Sequence, residues 1–385
     1  MDMQKYDVVI IGAGPAGSSL AYMLAEAGIK VCVLDKKNFP RRKVCAGGLP
    51  ARIIDLIPFD IKNVLINDIR EVSLTHNLQR EFCKQYNKTL LYTIDREKFD
   101  NFLLSKAVES GAVLMEGVAI ESISSDKGQQ FKLETAKGDF SSNIIVGADG
   151  ANSFTAKSVG LDPIDNRHVA IQAKVPIENI PKQYKEKIAL DWGFMKDGYG
   201  WLFPNGSYVS IGVMGPQLSG LAVKSYFDEW LTRFGLKPNE CEVEAHTIPH
   251  RITKRPITSS KALLIGDAAG LADYWTGEGI YYAIKSAQIA GRQINKFLQG
   301  DKKALDNYED IINEEILLEL KTSYSFSKLF NHISLPVFKN LRKYHYPWNI
   351  FCRIMSGERT FLDIKKRLRP DILLSKIFFK SKRNH

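Results

Sequence analysis

A short β-branched run, Tyr6-Asp7-Val8-Val9-Ile10-Ile11, leads directly into Gly12-Ala13-Gly14-Pro15-Ala16-Gly17. A helical pattern of apolar residues follows at Leu20, Met23, Leu24 and Ala27 and closes at Gly28. A strand, a G-x-G-x-x-G turn and a helix in that order point to a parallel α/β unit that holds a dinucleotide. Gly12 permits the tight turn, and Gly14, with Pro15 and Ala16 beside it, lets backbone approach a pyrophosphate. Gly17 lets helix and strand pack closely, and the helix N-terminus faces the phosphates. The next strand, residues 30–34, ends at Asp35, 18 residues beyond Gly17 and placed to accept a hydrogen bond from a ribose 2′-hydroxyl. Lys36 is counted with it among the cofactor-binding candidates. NAD and FAD both fit this much of the chain.

At 385 residues the chain has room for two or three lobes and a large buried cofactor. Its 44% hydrophobic and 25% charged residues exclude collagen, coiled coil and wholesale disorder. No apolar run reaches the roughly 18 residues of a membrane span. Cys32, Cys45, Cys83, Cys241 and Cys352 are odd in number and widely spaced, without a Cys-x-x-Cys pair, so neither a disulfide framework nor a zinc site is expected. A reducing, cytoplasmic compartment is expected, and the N-terminus is unlike a signal peptide. The net charge of +10 resides in residues 339–385, which hold 13 Lys and Arg against 3 Asp and Glu; the rest of the chain is balanced. Such a basic stretch suits nucleic acid, an anionic membrane surface, an acidic head group or a solvated helix face.

Two later segments favour FAD. Residues 143–153 read as a buried strand stopping at Asp149-Gly150, and residues 262–270 repeat the pattern as a strand into Gly266-Asp267. These stretches resemble the flavoproteins typified by p-hydroxybenzoate hydroxylase. The resemblance implies that Asp267 binds the ribityl chain, that Gly277, Gly279 and Ile280 bring a helix start to the flavin ring, and that Arg96 lies near FAD. The chain departs from the aromatic hydroxylases where Lys157 stands in place of their arginine and where Gly270 to Ile280 lacks their usual histidine or proline.

Three further segments resemble the geranylgeranyl reductase family: Lys43-Val44-Cys45-Ala46-Gly47-Gly48-Leu49, Gly198-Tyr199-Gly200-Trp201-Leu202-Phe203-Pro204, and Thr276-Gly277-Glu278-Gly279-Ile280. The family often has lysine after Phe-Pro, where this chain has Asn205. The resemblance covers roughly residues 6–300 and implies an FAD-dependent oxidoreductase that saturates double bonds of an isoprenoid lipid. Its electrons would come from NADPH or from a reduced ferredoxin-type partner protein. Gly47 and Gly48 read as a flexible loop that brings a thiol to the flavin. Tyr199, Trp201 and Phe203 alternate along a strand, with Pro204 starting a hairpin turn, and read either as the wall of an apolar tunnel or as sheet core. Hydride addition to an unactivated alkene requires protonation at about the same time, with aromatic faces to tolerate carbocation character. Cys45, Glu278, Tyr199 and water are the candidate proton sources. The competing readings are a flavin monooxygenase or halogenase, and a non-catalytic lipid-binding flavoprotein.

The expected fold is α/β: a Rossmann-like, three-layer FAD-binding domain with an inserted antiparallel-sheet substrate domain and a helical C-terminal segment. The expected boundaries are residues 1–70, 92–166 and 258–300 for FAD, 71–91 and 167–257 for substrate, and 301–385 for the basic helical region. His246 and His250 have the spacing of helical metal ligands, but Pro249 between them argues against a helix, so no metal is expected. Tyr308, Ile311, Ile312, Ile316, Leu317 and Leu320 form an amphipathic helix face. From Phe361 onward, apolar residues interleave with Lys365, Lys366, Arg367 and later cations, as in a segment lying on an anionic membrane or in a docking helix with a solvated basic face. Nucleic acid is not an expected partner.

Overall fold

The computed structural model describes residues 3–126, 130–161, 164 and 166–367. Leu368 and the residues after it, including the later part of the basic amphipathic stretch, lie outside the described residues. The chain opens with β1 (Gln4–Ile11), α1 (Pro15–Glu26) and β2 (Val31–Asp35). Next come β3 (Gly48–Pro50), β4 (Asn67–Ile69), β5 (Glu71–His76), β6 (Gln79–Gln85) and β7 (Leu91–Thr93), then α2 (Arg96–Glu109). Asp95 caps α2 by accepting from the amides of Glu97 and Lys98, an ordinary helix-start device. β8 (Val113–Glu116), β9 (Ile120–Asp126), β10 (Gln130–Thr135) and β11 (Phe140–Gly147) lead to the short α3 (Phe154–Ser158).

The middle of the chain holds β12 (Arg167–Pro176), β13 (Ile188–Trp192), β14 (Tyr199–Asn205) and β15 (Tyr208–Pro216), followed by α4 (Gly220–Arg233) and β16 (Val243–Pro249). β17 (Thr258–Ser259) and β18 (Ala262–Leu264) return to the first sheet. The helices α5 (Ile280–Leu298), α6 (Ala304–Ile312), α7 (Leu318–Lys343), α8 (His345–Met355) and α9 (Phe361–Arg367) complete the described chain.

β18, β11, β1, β2 and β8 run parallel in that order, with β17 added antiparallel at one edge and the β9–β10 hairpin attached to β11. Their continuous apolar sequences suit a sheet buried on both faces. α1 and α5 pack on one side, and Tyr308, Ile312 and Ile316 extend the same core, so the amphipathic face expected after residue 300 is buried against this sheet. The seven-stranded sheet, β16-β12-β15-β14-β13-β5-β6, is antiparallel except where β13 and β5 run side by side in parallel. Asn205 pairs with Tyr208 across a two-residue turn, and Gly206 supplies the positive φ of +72° that the turn needs. A third sheet, β3-β7-β4, lies between these two larger ones in the chain's path.

α4 covers one face of the seven-stranded sheet through Tyr226, Phe227 and Trp230. Phe338 and Leu341 of α7 and Trp348 and Cys352 of α8 join Trp192, Trp201 and Phe203 on the opposite face. Phe361 turns inward as well and stacks on Trp275 at 5.2 Å, while Lys365, Lys366 and Arg367 are exposed. In its described part, the basic stretch is therefore a docked helix with a solvated charged side. Among the described residues, no helix is long and apolar enough to cross a membrane.

Candidate functional site

The glycine turn shows three different constraints. A Cβ at Gly17 would stand 1.8 Å from the Gly12 carbonyl oxygen, and one at Gly12, whose φ is +105°, would stand 2.4 Å from that of Ala148. Both positions are closed by backbone. Gly14 meets only the end of the Arg41 side chain, at 3.3 Å, so it is the open glycine of the three. α1 starts there with Pro15 and has no side-chain cap, which leaves first-turn amides available to an anion. Asp35 braces the turn, accepting from the Ala13 amide and the Lys37 amide, each at 2.8 Å. Lys36 is exposed. Asp149 turns inward, accepting from Ser153 Oγ, Thr155 N and Thr155 Oγ1, and so orders the start of α3; Gly150 beside it has open space and a φ of +82°.

A second centre forms where Gly266 (φ +58°) wedges between Ala16 and Ala283. This contact brings Asp267 beside the start of α5. The Asp267 Oδ1 atom lies 3.3 Å from where Gly279 would carry a Cβ, and Gly279 precedes Ile280 with no side-chain cap. Burial raises the Asp267 pKa, while Lys43 and Arg96 pull it down. Arg96 is itself buried and donates from Nε and Nη2 to the two oxygens of Asp100, each at 2.8 Å, and Arg41 approaches the same carboxylate at 3.5 Å. Lys43 Nζ lies 2.9 Å from His246 Nε2. Burial, with Lys43 and Arg96 nearby, lowers the His246 pKa to about 4, so the neutral ring accepts from the Lys43 ammonium. Burial lowers the Lys43 pKa too, opposed by Asp267.

Cys45 links this cationic group to the third centre. Its sulfur accepts from the Gly47 amide at 3.4 Å and faces Arg96 and Tyr199. The adjoining glycines do not make the flexible loop expected of them. A Cβ at Gly47, whose φ is +81°, would stand 2.5 Å from the Ile94 carbonyl, and one at Gly48 would stand 2.5 Å from Phe203 Cε2, so both permit close packing. Tyr199 donates to the Thr276 carbonyl at 2.7 Å. Burial keeps its hydroxyl protonated, reinforced by Cys45, Asp273 and Glu278. Glu278 accepts from Arg52 Nη2 at 2.8 Å, and the Arg52 guanidinium lies 3.8 Å from the centroid of the Tyr281 ring. The second oxygen, Oε1, is buried with no hydrogen-bond partner. Burial raises the Glu278 pKa, and Arg52 pulls it down.

The structure thus sets Tyr199 within electrostatic reach of both Cys45 and Glu278, with its hydroxyl 3.7 Å from where Gly277 would carry a Cβ and Asp267 beside Gly279. Trp201 and Phe203 share the Tyr199 face, with Pro204 at the strand end, and Asn205 donates to the Ala46 carbonyl at 3.1 Å. His246 and His250 separate: His250 lies against His168 and Tyr274, with ring centroids 4.6 and 5.1 Å away. No cluster of three metal-ligating acids, histidines or cysteines occurs among the described residues. Sequence reasoning missed Arg41, Lys43, Arg52, Asp100 and His246 as members of the site. The basic triplet Arg41-Arg42-Lys43 just before Cys45 was the available signal.

A family model for an FAD binding domain matches residues 5–197. The chain is 35% identical over 366 residues to an uncharacterized protein of Methanosarcina barkeri, covering 94% of this chain and 92% of that one. It is 32% identical over 316 residues to the geranylgeranyl diphosphate reductase of Rhodobacter capsulatus, covering 78% of each chain. Among solved structures, a geranylgeranyl bacteriochlorophyll reductase-like protein from Thermoplasma acidophilum aligns with a TM-score of 0.74 at 22% identity, over 85% of this chain and 88% of that one. A flavin-dependent brominase aligns with a TM-score of 0.73 at 19% identity, over 91% and 94%. The open Gly14, the half-buried Asp267 between cations and the glycine-bounded start of α5 all fit FAD. The chain is an FAD-dependent oxidoreductase and belongs to the geranylgeranyl reductase family.

Proposed function

We propose that this protein reduces carbon–carbon double bonds in the prenyl chain of an isoprenoid lipid, using electrons from NADPH or a reduced ferredoxin-type protein. The observation that carries this reading is the convergence of Tyr199, Cys45 and Glu278 at the α5 start, beside the aromatic face of β14. Residues 1–70, 92–166 and 258–300 then serve as the FAD-binding domain. Residues 71–91 and 167–257 supply the substrate sheet, and the exposed Lys365, Lys366 and Arg367 can meet an anionic membrane surface.

Glycines 12, 14 and 17, Asp35, Arg96 and Asp267 would hold the cofactor, with Pro15, Ala16, Lys36, Asp149, Gly150, Gly266, Gly277, Gly279 and Ile280 shaping its surroundings. Bound FAD in its reduced form supplies the hydride that one alkene carbon receives. Glu278 holds a proton on Oε1 and releases it to the other carbon, and Arg52 on Oε2 stabilises the carboxylate left behind. Solvent restores the proton, so each cycle adds one hydride and one proton to the alkene. The Tyr199 hydroxyl, donating to Thr276, fixes the loop that carries Glu278. Trp201 and Phe203 offer aromatic faces to positive charge developing on the chain.

Turnover of a geranylgeranyl substrate in heavy water tests the reading. The expected product carries solvent deuterium on carbon at each reduced bond: one from the Glu278 carboxyl and up to a second with the hydride, because the N–H of reduced flavin exchanges with solvent. A product that has gained oxygen or halogen instead would favour the chemistry of the brominase-like relatives, with which the common ground is the fold.

A further inference from the structure

The most exposed large apolar side chains of the described residues are not in the basic C-terminal region. Leu218 and Leu221 have relative exposures of 103% and 91%, ahead of Tyr346 at 76%. They sit on the turn Gln217–Ser219 and the first residues of α4. The apolar stripe that α4 uses for folding is Val223, Tyr226, Phe227, Trp230 and Leu231, all buried. Leu221 lies two residues before that stripe begins, roughly 160° around the helix from Val223. Neither leucine contributes burial to the fold, and together they form an outward apolar tip.

Two features argue for a membrane as the partner of this tip. Lysines border it: Lys224 follows Leu221 by one turn, where it pairs with Asp228, and Lys196 is exposed on the neighbouring loop. That loop is adjacent because Met195 packs 2.8 Å from where Gly215, at the foot of the tip, would carry a Cβ. The tip also continues the strand that borders the site. Met214 pairs with Tyr199, and its sulfur lies 2.8 Å from where Gly277 would carry a Cβ. Leu218 lies only four positions after Met214, at most roughly 13 Å of chain.

We propose that Leu218 and Leu221 insert into the bilayer interface, with Lys196 and Lys224 at head-group level, and so seat the Tyr199 end of the sheet against the membrane. Apolar side chains at the acyl boundary with cations above them are the arrangement an interfacial anchor needs. The proposal rests on the isoprenoid-lipid reading for its purpose, yet its test is read independently of turnover.

The test is co-sedimentation of the full chain with vesicles of phosphatidylcholine and phosphatidylglycerol at low and high salt, comparing wild type with Leu218→Ser/Leu221→Ser. The expected loss in partitioning is about a hundredfold, persisting at high salt, because each of the two leucines contributes on the order of a tenfold factor when buried. The variant should keep its thermal midpoint and its turnover of detergent-dispersed substrate. Undiminished vesicle binding by the variant, or no binding by wild type, overturns the proposal. So does a lipid-free dimer of wild type that the variant breaks, since the tip would then be covered by a second copy. Leucine-dependent vesicle binding without prenyl reduction supports the anchor and counts against the substrate reading alone.

Discussion

The guanidinium of Arg52 and the carboxylate of Glu278 meet at 2.8 Å although 226 positions separate them in the chain. Both side chains are largely buried, and only one carboxylate oxygen is engaged. Arg52 thereby holds the Glu278 carboxylate in place and leaves Oε1 without a hydrogen-bond partner, the atom on which the proposed mechanism puts its proton.

Glu278→Gln should lower kcat by about 10²- to 10⁴-fold, the usual weight of a positioned general acid, while FAD binding is retained. Because burial raises the Glu278 pKa, the wild-type rate should hold at low pH and fall as pH rises through that value. Arg52→Met removes the group that pulls the pKa down, so the falling limb should move to higher pH. A pH profile of kcat for the three proteins checks both statements. Arg52→Met should also destabilise the fold by about 1–3 kcal/mol, since Oε2 of Glu278 loses its charge-assisted hydrogen bond while the acid stays protonated.

The glycines of the first turn should separate folding from cofactor binding. Gly17→Ala drives a methyl into the Gly12 carbonyl and should impair folding itself. Gly14→Ala meets only the mobile end of Arg41 and should leave the apoprotein's thermal midpoint within a few degrees of wild type. Its FAD affinity should fall by tenfold or more, as measured by flavin fluorescence on titration.

Three histidines make acid a denaturant for this protein. Burial depresses His246 and His250 to about 4 and His168 to about 3, below the ordinary value of 6.5. The stability they confer is complete above pH 6.5 and is lost as pH falls toward 4 and 3, because the unfolded chain binds protons that the folded chain refuses. Each contributes up to about 1.4 kcal/mol per pH unit within its window. Urea unfolding between pH 7 and 4 should show the decline, and His168→Phe should make it shallower.

Glu319 of α7 caps α9 by accepting from the Phe361 and Leu362 amides at 2.7 and 2.9 Å. Glu319→Ala should cost about 1–3 kcal/mol and free α9 first, since one buried and one half-buried amide lose their acceptor. Hydrogen exchange at residues 361–367 should accelerate more than exchange in the parallel sheet.

The local devices were legible in the sequence. The glycine turn, the strand-into-Gly-Asp pattern and the hairpin at Gly206 each occupy a few adjacent residues whose backbone needs leave a signature. The partners that complete the site were not, because they come from remote segments and have ordinary identities. Arg52 stands in no motif, and only the fold sets it beside Glu278. His246 reads with His250 until the edge strand sets it on Lys43, and nothing local to Asp149 tells that Ser153 and Thr155 donate to it. Phe361 reads equally as lipid-facing or docked, because periodicity alone does not tell a membrane from Trp275.

The central claim is alkene reduction, and an anaerobic single turnover tests it most directly. The FAD-loaded protein is reduced with dithionite, freed of excess reductant and mixed with geranylgeranyl diphosphate or a geranylgeranylated lipid, while flavin absorbance and product mass are followed. The account predicts flavin reoxidation with a gain of two mass units per bond reduced. A flavin that stays reduced with every prenyl substrate, but reoxidises with oxygen while adding oxygen to an aromatic compound, would contradict it.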